Sequence, residues 1–426
     1  MSQTILITNG RVIDPSQNMD RVTNVLIENG RITGYDILPS GREREIEAAG
    51  KIVVPGLIDL HVHLREPGGE EDETIASGTE AAIHGGYTSI ACIPNTNPPT
   101  DTPADVEFIQ DQAVRADHCN VFVVACISKN REGVELSEMA HLAQKGVVGF
   151  SDDGCEIANA ELMRRAFEYS NMFNLPILAH AEDKNLTNLG VMNEGLTSVR
   201  LGLRGIPSAA EDVMTARDIM LAEYTGGRLH VMHVSTAKSV NLVRQAKRDG
   251  IRVTAEVTPH HLTLTDDLLE SFDTNLKMSP PLRSRTDVDA CIAGLLDGTL
   301  DCISTDHAPH AAEKKQREID LAPFGVTGIE TALGVISTFL IRPGILTWPQ
   351  AVEKMSTAPA KIIGIDRGTL QLGAVADVAV IDPDLKWTVT PSEFKSRSTN
   401  NAYLGRELTG RAVCVIVNGR VRMLRR

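Results

Sequence analysis

Short apolar runs and amphipathic stretches alternate through the middle of the chain. GLIDLHVHL, YTSIACIPN, NVFVVACIS, GVVGFSDDG, LPILAHAED, RLHVMHVST, IRVTAEVTPHH and DCISTDHAPH read as buried strands. Between them, segments such as ASGTEAAIHGG, ELSEMAHLAQKG and SAAEDVMTARDIMLAEY read as helices. About eight β-then-α units over roughly three hundred residues predict an α/β fold, a (β/α)8 TIM-like barrel. An open doubly wound sheet is the competitor, but no G-x-G-x-x-G follows any early strand. The two ends have a different texture. ILITNGRVID and NVLIENGRI near the start, and GTLQLGAVADVAVIDPD and RAVCVIVNGRVRML near the end, are β-like. Asn9-Gly10, Asn29-Gly30 and Asn418-Gly419 predict tight hairpin turns. These flanks predict a small β-sandwich domain assembled from both termini, residues 1–54 and 367–426, with the barrel over 55–366.

Charge and cysteine usage narrow the partners. The 426 residues carry 42 Lys and Arg against 56 Asp and Glu, a net charge of −14. So acidic a chain has no bulk attraction for nucleic acid or anionic membrane. No apolar stretch approaches a membrane span, and the opening MSQTILITNG lacks a basic n-region and an apolar h-region. A soluble, cytoplasmic protein is expected. Seven cysteines, an odd number with no C-x-x-C pair, argue against a disulfide framework or a zinc ribbon. They read as small buried apolar residues, with Cys155 singled out because it follows an acidic pair.

Chemistry collects where the strands end. His61 and His63 close the first apolar run, Asn95 the second, Asp152 and Asp153 the fourth, His180 the fifth, His233 the sixth and Asp306 the eighth. In an α/β barrel the active site lies at the C-terminal ends of the strands. Taken singly, the signals are weak. With 12 histidines, roughly 0.3 H-x-H pairs arise by chance. A lone imidazole such as His180 or His233 is more often a satisfied core residue than a ligand, and Asp306 can simply cap a turn. Jointly they are not weak, because four His and two Asp at predicted strand ends match the ligands zinc accepts. Residues i and i+2 of a strand also share a face, so His61 and His63 can reach one ion. His230, three positions before His233, is expected on the opposite side, in the core or against a helix. His84, His118 and His141 read as structural or solvated, His260 and His261 as neighbours of the site. Glu70, Glu71, Asp72 and Glu73 read as a solvated loop.

The block GLIDLHVHLREPG, followed by NTNPPTD, FSDDG, LAHAED, HVSTA, TPHHL and STDHAPH, resembles class I dihydroorotase of the amidohydrolase superfamily over essentially the whole chain. The resemblance implies two zinc ions per subunit. His61, His63 and Asp306 would bind one, His180 and His233 the second, and Asp153 would bridge them. It further implies that Arg65, Asn95 and His310 hold a substrate carboxylate, that the backbone of Phe324 and Gly325 touches the ring, and that the stretch from 310 to 323 is an active-site loop. His63 also faces the substrate, and Asp306 serves as general base. One departure stands out: the family's K-M-N-P-P-L-R reads KMSPPLR here, so the shorter Ser279 replaces an Asn that contacts substrate.

The implied reaction is the reversible hydrolysis of (S)-dihydroorotate to N-carbamoyl-L-aspartate in de novo pyrimidine biosynthesis. Alternatives are another cyclic amidohydrolase, a hydantoinase or allantoinase, or a non-catalytic partner of aspartate carbamoyltransferase. The first kind usually bridges its metals with a carbamylated Lys, which SDDG does not offer. The second should have lost metal ligands, and all six are present. A homodimer and a complex with aspartate carbamoyltransferase are left open.

Overall fold

The computed structural model describes residues 4–425. Its centre is a sheet of eight parallel strands in sequential order. They are Leu57–Val62, Tyr87–Cys92, Asn120–Ala125, Gly149–Phe150, Pro176–Ala179, Arg228–Val231, Val253–Val257 and Cys302–Ile303. All eight coincide with the apolar runs of the sequence. The first two are buried at every position, as strands covered on both faces must be. Ile58, Leu60, Ala91, Val124, Leu178, Met232 and Cys302 fill the interior, and the helix Ala358–Ile363 joins that cluster. A second, larger cluster packs the outer strand faces against the helices.

First and eighth strands close the barrel through one residue beyond the last ladder. His307 bridges Val62 on one side and Val326 on the other. Its carbonyl accepts from His63 N at 2.9 Å, and its own N–H donates to His61 O at 3.2 Å. The seam of the barrel therefore lies among the residues that carry the chemistry.

Both ends of the chain build one further, mostly antiparallel eight-stranded sheet. Its junction is Ile52–Pro55, which lies between Ile5–Asp14 and Val378–Thr388. Strand alternation divides these residues between two cores. Ile52, Val54, Ala379 and Ile381 pack into the barrel's outer cluster, whereas Val53, Val378 and Val380 face the sheet's own cluster. Asn29-Gly30 and Asn418-Gly419 form hairpin turns, both residues of each pair at positive φ. Asn9-Gly10 does not. It lies inside Ile5–Asp14, where the pairing register shifts between Ile7 and Gly10, so the signal marked a β-bulge. A Cβ on Gly10 would come within 2.5 Å of Val53. Close packing, not a chain reversal, requires glycine there.

Candidate metal centre

Six side chains selected from the sequence meet at the C-terminal rim of the barrel. The Asp153 carboxylate is the hub. It lies 3.1 Å from His180 Nδ1, 3.6 Å from His61 Nε2, 3.7 Å from His63 Nε2 and 3.9 Å from His233 Nε2. Asp306 Oδ1 is 3.0 Å from His63 Nε2 and 3.4 Å from His61 Nε2. All six residues are buried. Backbone conformation contributes to the convergence. His233 and Asp306 follow the ends of their strands with φ of 33° and 49°, and the register of the first strand shifts between Asp59 and Val62. Left-handed backbone is uncommon outside glycine, and its appearance at two site residues shows that tertiary structure dictates it.

The electrostatics call for positive charge between rings and carboxylates. Burial lowers His61, but Asp306 and Asp153 outweigh it and hold the ring well above its usual range. Burial likewise opposes, and Asp153 and Glu182 overcome, at His180, which rises to about 9. Burial raises Asp153 and Asp306, yet the imidazoles pull both carboxyls below the ordinary carboxylate range. Protons or a divalent cation satisfy such a cluster equally. Two details favour a cation. His61 Nε2 is buried with no hydrogen-bond partner. His180 Nδ1 and His233 Nε2 face one another at 2.8 Å, and at most one proton fits between them. Donor atoms of His61, His63 and Asp306, and of His61, Asp153 and His233, form two groups in which all atoms lie within 4.8 Å. Nitrogen and carboxylate donors in this number suit zinc or a similar borderline ion.

The outer nitrogens of three rings are held from behind. His61 Nδ1 lies 2.9 Å from Glu256 Oε1, His63 Nδ1 2.8 Å from Asn95 Oδ1, and His180 Nε2 3.0 Å from Glu182 Oε2. Such contacts fix ring orientation and raise ligand basicity. Sequence reasoning missed Glu182 and Glu256. The signal for Glu256 was present, since a single acid inside the apolar run IRVTAEV must have a partner if buried. That partner also settles the placement of His230. Its ring is in the core, as one of the two expected placements had it, but on the same side as His233 and not opposite: it lies fully buried in the barrel, 3.1 Å from Glu256 Oε2 and 2.9 Å from Thr254 Oγ1. His230 follows the strand's alternation inward; His233 joins it only because the strand has ended.

Asp152 is turned away from the cluster, where it accepts from Ile127 N, Ser128 N and the Ser128 hydroxyl. The acidic run after the first strand is also corrected. Glu70 and Glu71 are exposed, but Glu73 is fully buried and takes bonds from Ser77, Ser396 and Arg397 N, while Asp72 pairs with Lys314. Six cysteines are buried and Cys155 is exposed.

A cavity of about 150 Å³ lies over the cluster, lined by every residue selected from the sequence except His61. One wall is cationic and made of loops. Arg65, at φ 61°, donates through Nε to Pro309 O at 3.2 Å. His310 Nε2 lies 2.7 Å from Phe324 O, and burial together with Arg65 brings this ring down to about 3, so it is neutral. Gly325 sits at φ 122°, where a Cβ would come within 2.8 Å of the Ala308 side chain and 3.0 Å of His310 Nε2; only glycine fits. Asn400 ties this wall together. Its Oδ1 accepts from His310 N at 3.1 Å, and its Nδ2 donates to Gly325 O at 3.2 Å. Ser279 lines the cavity at the point where it meets a wider one of about 540 Å³.

Known proteins share both the architecture and the sequence. An L-hydantoinase (dihydropyrimidinase) from Arthrobacter aurescens superposes with a TM-score of 0.89 at 26% identity, over 100% of this chain and 96% of that one. A D-hydantoinase structure at 23% identity, TM-score 0.87, shares the fold over 99% of this chain and 95% of its own. Fold and donor cluster together define a cyclic-amide hydrolase of the metal-dependent amidohydrolase superfamily. A family model described as dihydro-orotase-like matches residues 50–239. A dihydroorotase of Pelobacter propionicus is 50% identical over 98% of this chain and 99% of its own length. One of Pelotomaculum thermopropionicum is 51% identical over 98% of each. The chain belongs to the dihydroorotase family.

Proposed function

We propose that the protein hydrolyses the ring amide of (S)-dihydroorotate, reversibly, to N-carbamoyl-L-aspartate in pyrimidine biosynthesis. The observation that carries this reading is a single small cavity with the His/Asp cluster on its floor and the Arg65–His310 wall at its side. The floor suits amide hydrolysis and the wall suits an anionic ring.

In this reading His61, His63 and Asp306 would hold one zinc ion and His180 and His233 a second, with the Asp153 carboxylate, which lies against all four rings, shared by the two sets. Bound metal would lower the pKa of water and polarise an amide carbonyl. The remaining work falls to the chain. Asp306 accepts the proton of the attacking water and passes it to the ring nitrogen as the C–N bond breaks; the hydroxyl stays on the carbonyl carbon. Arg65 receives the substrate carboxylate as a charged fork, with Asn95 and His310 beside it. Asn95 thereby has two tasks, since its oxygen also orients His63. Phe324 and Gly325 meet the ring through their backbone, and Ser279 offers a hydroxyl where the family pattern implies an amide. We further assign residues 1–54 and 367–426 to one β domain and 55–366 to the barrel. The reading extends to a cytoplasmic site of action and leaves open a homodimer and a complex with aspartate carbamoyltransferase. Sedimentation of the protein alone and mixed with that enzyme tests the last two. No helix among the described residues is long and apolar enough to cross a membrane.

Metal content measured alongside ring-opening rates for dihydroorotate, hydantoin and allantoin decides the substrate. Rapid opening of dihydroorotate with two zinc equivalents is expected. If dihydroorotate is inert with zinc supplied while hydantoin opens, the protein is a hydantoinase, in line with its structural neighbours.

A further inference from the structure

Two lysines are buried beside the cavity without a carboxylate. Lys277 and Lys315 are 2% and 4% exposed, and among the described residues neither forms an ion pair. Their ammonium groups are solvated by backbone instead. Lys315 Nζ donates to Pro323 O and Gly325 O, both at 3.0 Å, and to Lys277 O at 3.3 Å. Lys277 Nζ donates to Ile319 O and Asp320 O and stands 4.5 Å from the centre of the Phe324 ring. Gly325 N in turn donates to Lys277 O at 3.0 Å. Burying an ammonium is costly unless several acceptors converge on it, so a chain that places one here gains a fixed backbone in return. What Lys315 fixes is the turn at Phe324 and Gly325, and with it the far end of the 310–323 stretch, whose near end carries His310.

We propose that Lys315 is a positioning residue for substrate: its ammonium latches the stretch from 311 to 325 shut by gathering the carbonyls on either side of Phe324, which sets the backbone that meets the ring. The inference rests on the reading of Phe324 and Gly325 as ring contacts. The latch is responsive to pH. Burial, and then Lys277, bring Lys315 down to about 7, with Asp273 opposing. The charged or titratable groups that face it are Lys277, Asp273 from the turn before it, and His310 from the start of the loop. Protonated Lys315 donates to all three carbonyls. Above about pH 7 the neutral amine has two hydrogens for three acceptors, and the latch loosens.

Lys315→Met keeps an unbranched side chain one atom shorter and removes the donor. With zinc content equal to that of the unmodified protein, KM for dihydroorotate should rise tenfold or more while kcat stays within about threefold. The rise in KM of the unmodified protein between pH 7 and 8.5 should be absent from the variant. Amide hydrogen exchange over 311–325 should quicken at least tenfold with the rest of the barrel unchanged, a readout that holds even if dihydroorotate proves not to be the substrate. Unchanged KM and unchanged exchange in that segment would overturn the latch. So would exchange quickened across the whole barrel, which would make Lys315 a stability residue. If Lys315→Met does not fold, Lys315→Leu, which also lacks a donor, carries the same test.

Discussion

The floor and the cationic wall of the cavity are built on opposite plans. The floor is a set of side chains at the ends of parallel strands, three of its four rings braced from behind: Glu256 behind His61, Asn95 behind His63, Glu182 behind His180. The wall is made of loop backbone, held by Asn400 from a distant segment on His310 and Gly325, and by Lys315 from within the same loop on Pro323 and Gly325. Direction is set by the strand framework on the floor and by hydrogen bonds to loop carbonyls and amides on the wall. Damage to the floor should therefore abolish chemistry, and damage to the wall should cost recognition.

The largest effect belongs to Asp306→Asn, which removes a metal ligand and the proton acceptor together. Turnover should fall by about a thousandfold or more; a variant keeping a tenth of its activity would place the base elsewhere. Next comes the acidic pair after the fourth strand. Asp153→Ala should lose most of one metal equivalent and nearly all activity, because Asp153 touches all four rings. Asp152→Ala should retain more of both while destabilising the fold by about 1–3 kcal/mol, since it strands the buried donors of Ile127 and Ser128. Metal analysis and thermal melts of the two variants side by side separate the roles, and the reverse ranking would refute them. On the wall, Arg65→Met should lower kcat/KM for dihydroorotate by about 2–4 kcal/mol with metal retained. Neutral ring analogues should lose much less; equal losses would make Arg65 structural.

Smaller effects sharpen the floor itself. Glu256→Gln should weaken metal affinity by roughly 10–100-fold, read by competition with a chelator, because His61 loses its charged brace. The last effect is a pH slope. In the metal-free protein burial lowers His180, and Asp153 and Glu182 more than restore it, to about 9. The ring nitrogen must lose its proton before it can hold a cation. Metal affinity should therefore climb as pH rises towards about 9, by up to roughly tenfold per unit for each proton displaced. A flat profile between pH 6 and 8 would mean that these rings are already neutral.

The same contrast explains what could be read from the chain. Strands announce themselves by local apolar runs, so the barrel, the rim positions of His61, His63, His180 and His233, and the choice of Asp153 over Asp152 were all visible in the residues or their motifs. Alternation failed where the backbone leaves the strand. Counting sets His230 on the side opposite His233, in the core or against a helix; it is in the core, yet both face inward, because His233 has already turned into left-handed backbone. Asn9-Gly10 misled for a related reason, as a bulge and a turn ask for similar residues. Glu73, Lys315 and Asn400 were invisible. An acid in an acidic run, a lysine in EKK and an asparagine in STNNA look like surface until the fold brings buried partners to them.

The terminal sheet has a consequence for how the chain is made. The partner of strand Ile52–Pro55 on one flank, Ile5–Asp14, precedes it in the chain and is available as soon as both have left the ribosome. Its other flank waits for Val378–Thr388. That partner is synthesised roughly 320 residues later, about half a minute at typical translation speed. Throughout that interval Ile52, Val53 and Val54 present an open apolar edge, the kind of edge that recruits stray strands. The barrel assembles beside an unfinished seam, and a strand that follows it in the chain is the one that seals it.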